Sequence, residues 1–156
     1  MLTSAQATAL TAIENGTVLD HIPPGEGMRL VRLLQLDSKE AKVLIGLNLA
    51  STAMGTKDLI KVEGWELNPE EASKVAIFAP LTTVSLIRER AVAEKFQVDL
   101  PEHIDGVVVC PNPCCITRKE KTGRRFFVKK VGKKIFLRCA YCEKSYMRDE
   151  IQEFTV

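Results

Sequence analysis

The chain has 156 residues, 46% of them hydrophobic and 27% charged, with a formal net charge of +2. Apolar residues along the whole length exclude a disordered chain, and no stretch approaches the roughly 20 apolar residues of a membrane-spanning helix. The small net charge joins two unlike halves: residues 1–100 hold ten Lys and Arg against thirteen Asp and Glu (net −3), and residues 101–156 hold twelve against seven (net +5).

The opening Met1-Leu-Thr-Ser-Ala-Gln6 lacks the basic start and apolar run of a signal peptide, so a cytosolic location is expected. Gly16–Ile22 is predicted to be a strand, stopped by Pro23-Pro24-Gly25. From Gly27 to Leu36 the apolar residues recur at helical spacing (Met28, Val31 and Leu34; Leu30 and Leu33). Ala41–Leu49 and Lys57–Val62 follow as strands around the turn-like Ser51–Gly55. Asn68-Pro69-Glu70-Glu71 is a helix start, with a capping side chain, proline at the first helical position, and carboxylates near the positive end of the dipole. That helix is predicted to end near Ala79, before Pro80. Thr82–Ile87 and Ala91–Val98 complete a ferredoxin-like α+β pattern, an antiparallel sheet with two helices on one face.

The break falls at Leu100-Pro101, which predicts two domains, 1–100 and 101–156. In the second, Gly106–Cys110, Phe126–Val131 and Lys134–Cys139 are predicted strands, the last two joined by a hairpin turn at Gly132-Lys133. This small all-β unit buries too little apolar area to be comfortably stable without a staple. Its cysteines supply one. Cys110-x4-Cys115 and Cys139-x2-Cys142 can each aim two sulfurs at one point, and four thiolates suit a tetrahedral structural Zn²⁺. Spacing alone also permits Cys110-x3-Cys114, so the fifth cysteine leaves the choice between Cys114 and Cys115 open.

Lys and Arg are dense from Arg118 to Lys134, with Phe126, Phe127, Phe136 and Tyr141 among them. Basic residues interleaved with aromatics also fit a zinc-ribbon nucleic-acid-binding protein. A thiol oxidoreductase is a third reading, and it needs an exposed cysteine of low pKa. No catalytic constellation emerges: there are two histidines, His21 and His103, and no nucleophile motif or phosphate loop. Lys57, Lys61 and Lys95 stand alone on predicted strands of an acidic domain, and convergence of the three on one surface would suit a polyphosphate.

Gly16-Thr-Val-Leu-Asp-His-Ile-Pro23, Ile45–Leu49, Met54–Glu63, Leu100–Asp105, Cys110–Ile116 and Cys139–Lys144 resemble, in order and with almost no gaps, the regulatory chain of aspartate carbamoyltransferase. The resemblance implies a non-catalytic regulatory subunit in pyrimidine biosynthesis. Its partners would be the catalytic chain of that enzyme, a second copy of itself in a regulatory dimer, and the nucleotide effectors CTP, ATP and UTP. It implies no nucleic-acid or membrane partner, and a cytoplasmic location. By the same resemblance residues 1–100 bind the effector, and residues 101–156 hold one structural Zn²⁺ per chain and dock onto the catalytic chain. Lys61 and Lys95 would hold the triphosphate and Asp20 the ribose, with His21 close to the phosphates. Ala12, Ile13, Ile87 and Val92 would frame the base and sugar. The metal ligands would be Cys110, Cys115, Cys139 and Cys142. Ser85 and Arg90 border the same pocket where better-known members carry asparagine and tyrosine, departures that bear on base preference and on the sign of the response.

Overall fold

A computed structural model describes residues 12–120, 123–152 and 154. In chain order the elements are β1 (Gly16–Ile22), α1 (Gly27–Leu33), β2 (Val43–Ser51), β3 (Gly55–Glu63), α2 (Pro69–Phe78), β4 (Thr83–Arg88), β5 (Ala91–Gln97), β6 (His103–Asp105), α3 (Ile116–Lys119), β7 (Arg125–Val131), β8 (Lys134–Cys139) and β9 (Ser145–Met147). The first five strands form an antiparallel sheet in the order β2-β3-β1-β4-β5, and the last four a smaller one in the order β6-β7-β8-β9. The ferredoxin-like α+β layout is therefore present, followed by a largely β unit. Among the described residues no helix is long and apolar enough to cross a membrane.

Alternation along the strands gives the first sheet one buried side. Thr17, Leu19, Ile60, Val62, Val84 and Leu86 are all 5% exposed or less, and they pack with the buried stripes of α1 and α2. α2 starts where its signals place it. Asn68 accepts from the Glu71 N–H at 2.8 Å and Glu71 accepts in return from the Asn68 N–H at 3.2 Å, a complete capping box.

Two predicted elements differ. α1 ends at Leu33 rather than Leu36, with Gln35 in the left-handed region (φ 53°) before a single 3₁₀ turn at Leu36–Ser38. A continued helix would carry Leu36 about 240° around from Leu30 and away from the core. The turn instead buries it to 1% exposure. Gly106–Cys110 is not a strand, because Gly106 takes φ 67° and ends β6 after Asp105. Val107 and Val108 are buried without a ladder, and Val108 makes one bridge to Phe154. β6, β9 and the single-turn α3 are three- or four-residue elements that no periodicity announces.

The two sheets share one apolar cluster, from Leu19 through Phe78 and Phe126 to Ile151. Phe154 meets Phe78 edge to face (5.2 Å, 85°), and Arg148 donates to the Ile77 carbonyl at 3.2 Å.

Candidate binding face and metal centre

The other side of the first sheet carries the polar residues singled out in the sequence. Lys61 on β3 lies opposite Val18 on β1, Val18 opposite Ser85 on β4, and Ser85 opposite Lys95 on β5. Directly paired residues share a face, so Lys61, Ser85 and Lys95 stand in one row across four strands. Ile87 and Val92 form the next pair on that face, beyond a bulge in β5, and Val92 is 57% exposed. Arg90 is exposed in the β4–β5 turn at φ 64°, and its N–H donates to the Glu14 carbonyl at 2.9 Å. The segment starting at Ala12 and Ile13, exposed and half-buried respectively, is thereby tied to the Arg90 turn. Lys61, Ser85, Lys95, Ile87 and Val92 thus lie on one face, with Arg90 in the turn at its edge.

Asp20 lies two residues along β1 from Val18, paired with Thr83. Its Oδ1 takes the Lys57 ammonium at 2.8 Å and the His21 N–H at 2.6 Å. Burial raises the Asp20 carboxyl, but the hydrogen bonds and charge of Lys57, with the His21 contacts, outweigh it and leave it below its usual value. His21 has φ 59°, which lets the strand bulge there, and its Nδ1 lies 3.9 Å from Asp20 Oδ1, buried without a hydrogen-bond partner. Lys57 belongs to this group through Asp20, and its lone position on a strand was the only sequence signal for it.

The second site is built by two turns. Cys139 closes β8, and the chain folds back so that the Cys139 N–H donates to the Lys144 carbonyl and the Glu143 N–H to the Cys139 carbonyl, each at 3.0 Å. Glu143 adopts φ 62° to complete this knuckle. On the other side Asn112 accepts from the Cys114 N–H through its side chain and from the Cys115 N–H through its carbonyl. Arg118 donates to the Cys110 carbonyl at 2.7 Å. The sulfurs of Cys110, Cys115, Cys139 and Cys142 all lie within 4.8 Å of one another, and the Cys110–Cys142 and Cys115–Cys139 separations are both 3.7 Å. A tetrahedron with metal–sulfur bonds of about 2.3 Å has edges of about 3.8 Å, so the four sulfurs fit a tetrahedral metal centre. Cys114 is exposed and stands outside the group, so geometry separates it from Cys115 where spacing did not. Burial raises the Cys142 thiol, yet the Lys144 N–H, the Asn112 side chain and the neighbouring sulfurs bring it down to about 7. Asn112, Thr117, whose Oγ1 is 3.0 Å from Cys115 Sγ, and Arg118 support the ligands and carry no sequence signal of that role.

Both halves of the chain match known proteins. Residues 8–99 match the family profile described as aspartate carbamoyltransferase regulatory chain, allosteric domain, and residues 102–152 match the one described as its metal binding domain. A protein of Methanopyrus kandleri named aspartate carbamoyltransferase regulatory chain is 45% identical over 148 residues, covering 94% of this chain and 95% of its own. Proteins of the same name from Aeromonas salmonicida and Chromobacterium violaceum are each 43% identical over 142 residues, covering 91% of this chain and 92% and 93% of their own.

Proposed function

The chain belongs to the aspartate carbamoyltransferase regulatory chain family, and on that premise we propose that the outward face of its first sheet binds the nucleotide effectors CTP, ATP and UTP. A regulatory chain of this enzyme is a non-catalytic subunit of the pyrimidine pathway whose partner is the catalytic chain. The row Lys61–Ser85–Lys95 beside Asp20 carries the reading. Ammonium groups neutralise phosphate charge without strict geometry. Asp20, held through Oδ1 by Lys57, is steered to accept from ribose hydroxyls, with His21 beside it. Ile87 and Val92 offer an apolar ledge for the base, and Ala12, Ile13 and Arg90 its rim. Residues 1–100 are the sensing domain and residues 101–156 the docking domain. Calorimetric titration of each triphosphate into the wild-type holoenzyme and into Lys61→Ala tests the site: weaker binding by the variant is expected, and equal binding removes the row from it.

The metal is zinc on this reading, with Cys110, Cys115, Cys139 and Cys142 as its ligands. All-sulfur tetrahedral sites suit Zn²⁺, and four protein ligands leave no open position for catalysis. Bound there, zinc would supply folding free energy and fix the two cysteine turns as a rigid surface for the catalytic chain. Self-association into a regulatory dimer is assigned to β2. It is an edge strand of nine residues, and its Leu44, Ile45, Leu47 and Leu49 are 37–46% exposed. Such an edge is a template for pairing with a second copy. Cysteines gathered as metal ligands rather than as disulfides also fit a reducing, cytoplasmic location.

A further inference from the structure

β3 carries two adjacent side chains that hold different parts of the fold. Lys57 binds Asp20 on the outward face. Asp58 points to the helix side, is fully buried, and accepts three backbone N–H groups. Its Oδ2 takes Gly25 at 3.1 Å and Gly27 at 3.0 Å, both in the passage from β1 into α1, and its Oδ1 takes Asn48 at 3.0 Å in β2. The pairing of β1 with β3 slips between Leu19 and Ile22, and that of β2 with β3 slips between Gly46 and Leu49. His21 (φ 59°) and Asn48 (φ 56°) make those two bulges, and Asp58 pairs with Ile22 just past the first. One carboxyl group therefore ties the bulge of β2 and the passage out of β1 to the start of α1. The fit is close. A Cβ at Gly27 would lie 2.8 Å from Asp58 Oδ2, so glycine is required there.

We propose that Asp58 is a positioning residue for the regulatory response. It makes a shift of Asp20 and His21 on the outward face move α1 rather than be absorbed in the Pro23–Glu26 loop. From α1 the contacts run on to the seam between the two halves. The Arg29 guanidinium lies 5.5 Å from the centroid of the Phe78 ring, and Phe78 meets Phe154. Arg148 holds the carbonyl of the neighbouring Ile77. Coupling of this kind needs a packed element that both sites bias, and α1, clamped at its first turn, is that element. The inference rests on the outward face being the nucleotide site.

The test uses Asp58→Asn in the holoenzyme assembled with its catalytic chain. An amide keeps one acceptor oxygen, so the variant releases either the Gly25–Gly27 pair or Asn48. Gly27→Ala strains the same clamp from the loop side and serves where Asp58→Asn does not assemble. Triphosphate binding is read by calorimetry and the nucleotide response by the change in catalytic rate. Affinity is expected to stay within about threefold of wild type while the response shrinks at least about fivefold, the lower end of ordinary allosteric coupling. A purely structural role would lower affinity and response together, and that result overturns the proposal, as does an unchanged response. A wild-type holoenzyme that binds no triphosphate would overturn the reading of the outward face itself, and this inference with it.

Discussion

Removing one ammonium of the cross-strand row should weaken triphosphate binding by an amount set by its burial and spacing. Lys61 is half-buried and Lys95 exposed. A hydrogen bond to a charged group is worth about 1.5–3 kcal/mol, which corresponds to roughly 10–150-fold in Kd. Water screens Lys95 more, so Lys61→Ala is expected in the upper part of that range and Lys95→Ala near its lower end. Lys61 and Lys95 are three strand steps apart, about 14 Å at 4.8 Å per step. Both would hold the same triphosphate, so the loss in the double variant is expected to differ from the sum of the single losses by about 0.5–3 kcal/mol. Lys57→Ala provides the contrast. Lys57 acts through Asp20, so its loss should weaken binding less and with little dependence on salt. The assay is calorimetric titration of the holoenzyme at 0.05 M and 0.15 M salt, across which the screening length falls to about 8 Å. The assignment fails if Lys61→Ala binds as wild type does, or if Lys57→Ala costs more than Lys61→Ala.

Chelation with a strong zinc ligand is expected to unfold residues 101–156 and abolish assembly with the catalytic chain, followed by circular dichroism and gel filtration; full assembly after complete metal removal would refute the docking role. Burial holds the Glu26 carboxyl above its ordinary value of 4.5, against the opposing pull of Arg29 and Arg148. The folded chain therefore keeps that proton longer than the unfolded one. Stability contributed by Glu26 should fall as pH rises from about 4.5 until the folded group has ionised. Glu26→Gln should flatten the dependence of Tm on pH in that window, and an unchanged slope would assign it elsewhere. Asn68→Ala removes half of the capping box and is expected to cost about 1 kcal/mol, roughly 2–4 °C in Tm for a chain of this size. Calorimetric scanning reads the shift, and triphosphate affinity should stay unchanged.

Much of this was legible from local chemistry. The Asn68 cap, the Gly16–Ile22 strand and the hairpin at Gly132-Lys133 are each specified by neighbouring residues. The two cysteine pairs are nearly so. Cys114 and Cys115 are adjacent, and only the turn around Asn112 decides which one points inward. Other features depend on pairing register, which a linear pattern does not carry. Lys61 and Lys95 are 34 positions apart and come into one row only because β1 and β4 lie between β3 and β5. Asp58 was hidden for a similar reason. An acid inside a strand looks like a surface residue until the N–H groups of Gly25, Gly27 and Asn48 are brought around it. The early end of α1 reflects tertiary packing of Leu36 prevailing over helical spacing.

The contact of Phe154 with Phe78 has a consequence for the order of events during synthesis. A ribosome delivers the chain from its N-terminus, and early domains generally fold first. Here Phe78, the last residue of α2, waits for a partner 76 positions downstream. Until that partner arrives, the side of the Phe78 ring that Phe154 covers is left uncovered, and premature termination before residue 154 leaves it so. Truncated products should therefore be prone to aggregate even though their first sheet is intact, and the allosteric half reaches its final packing only once Phe154 has emerged.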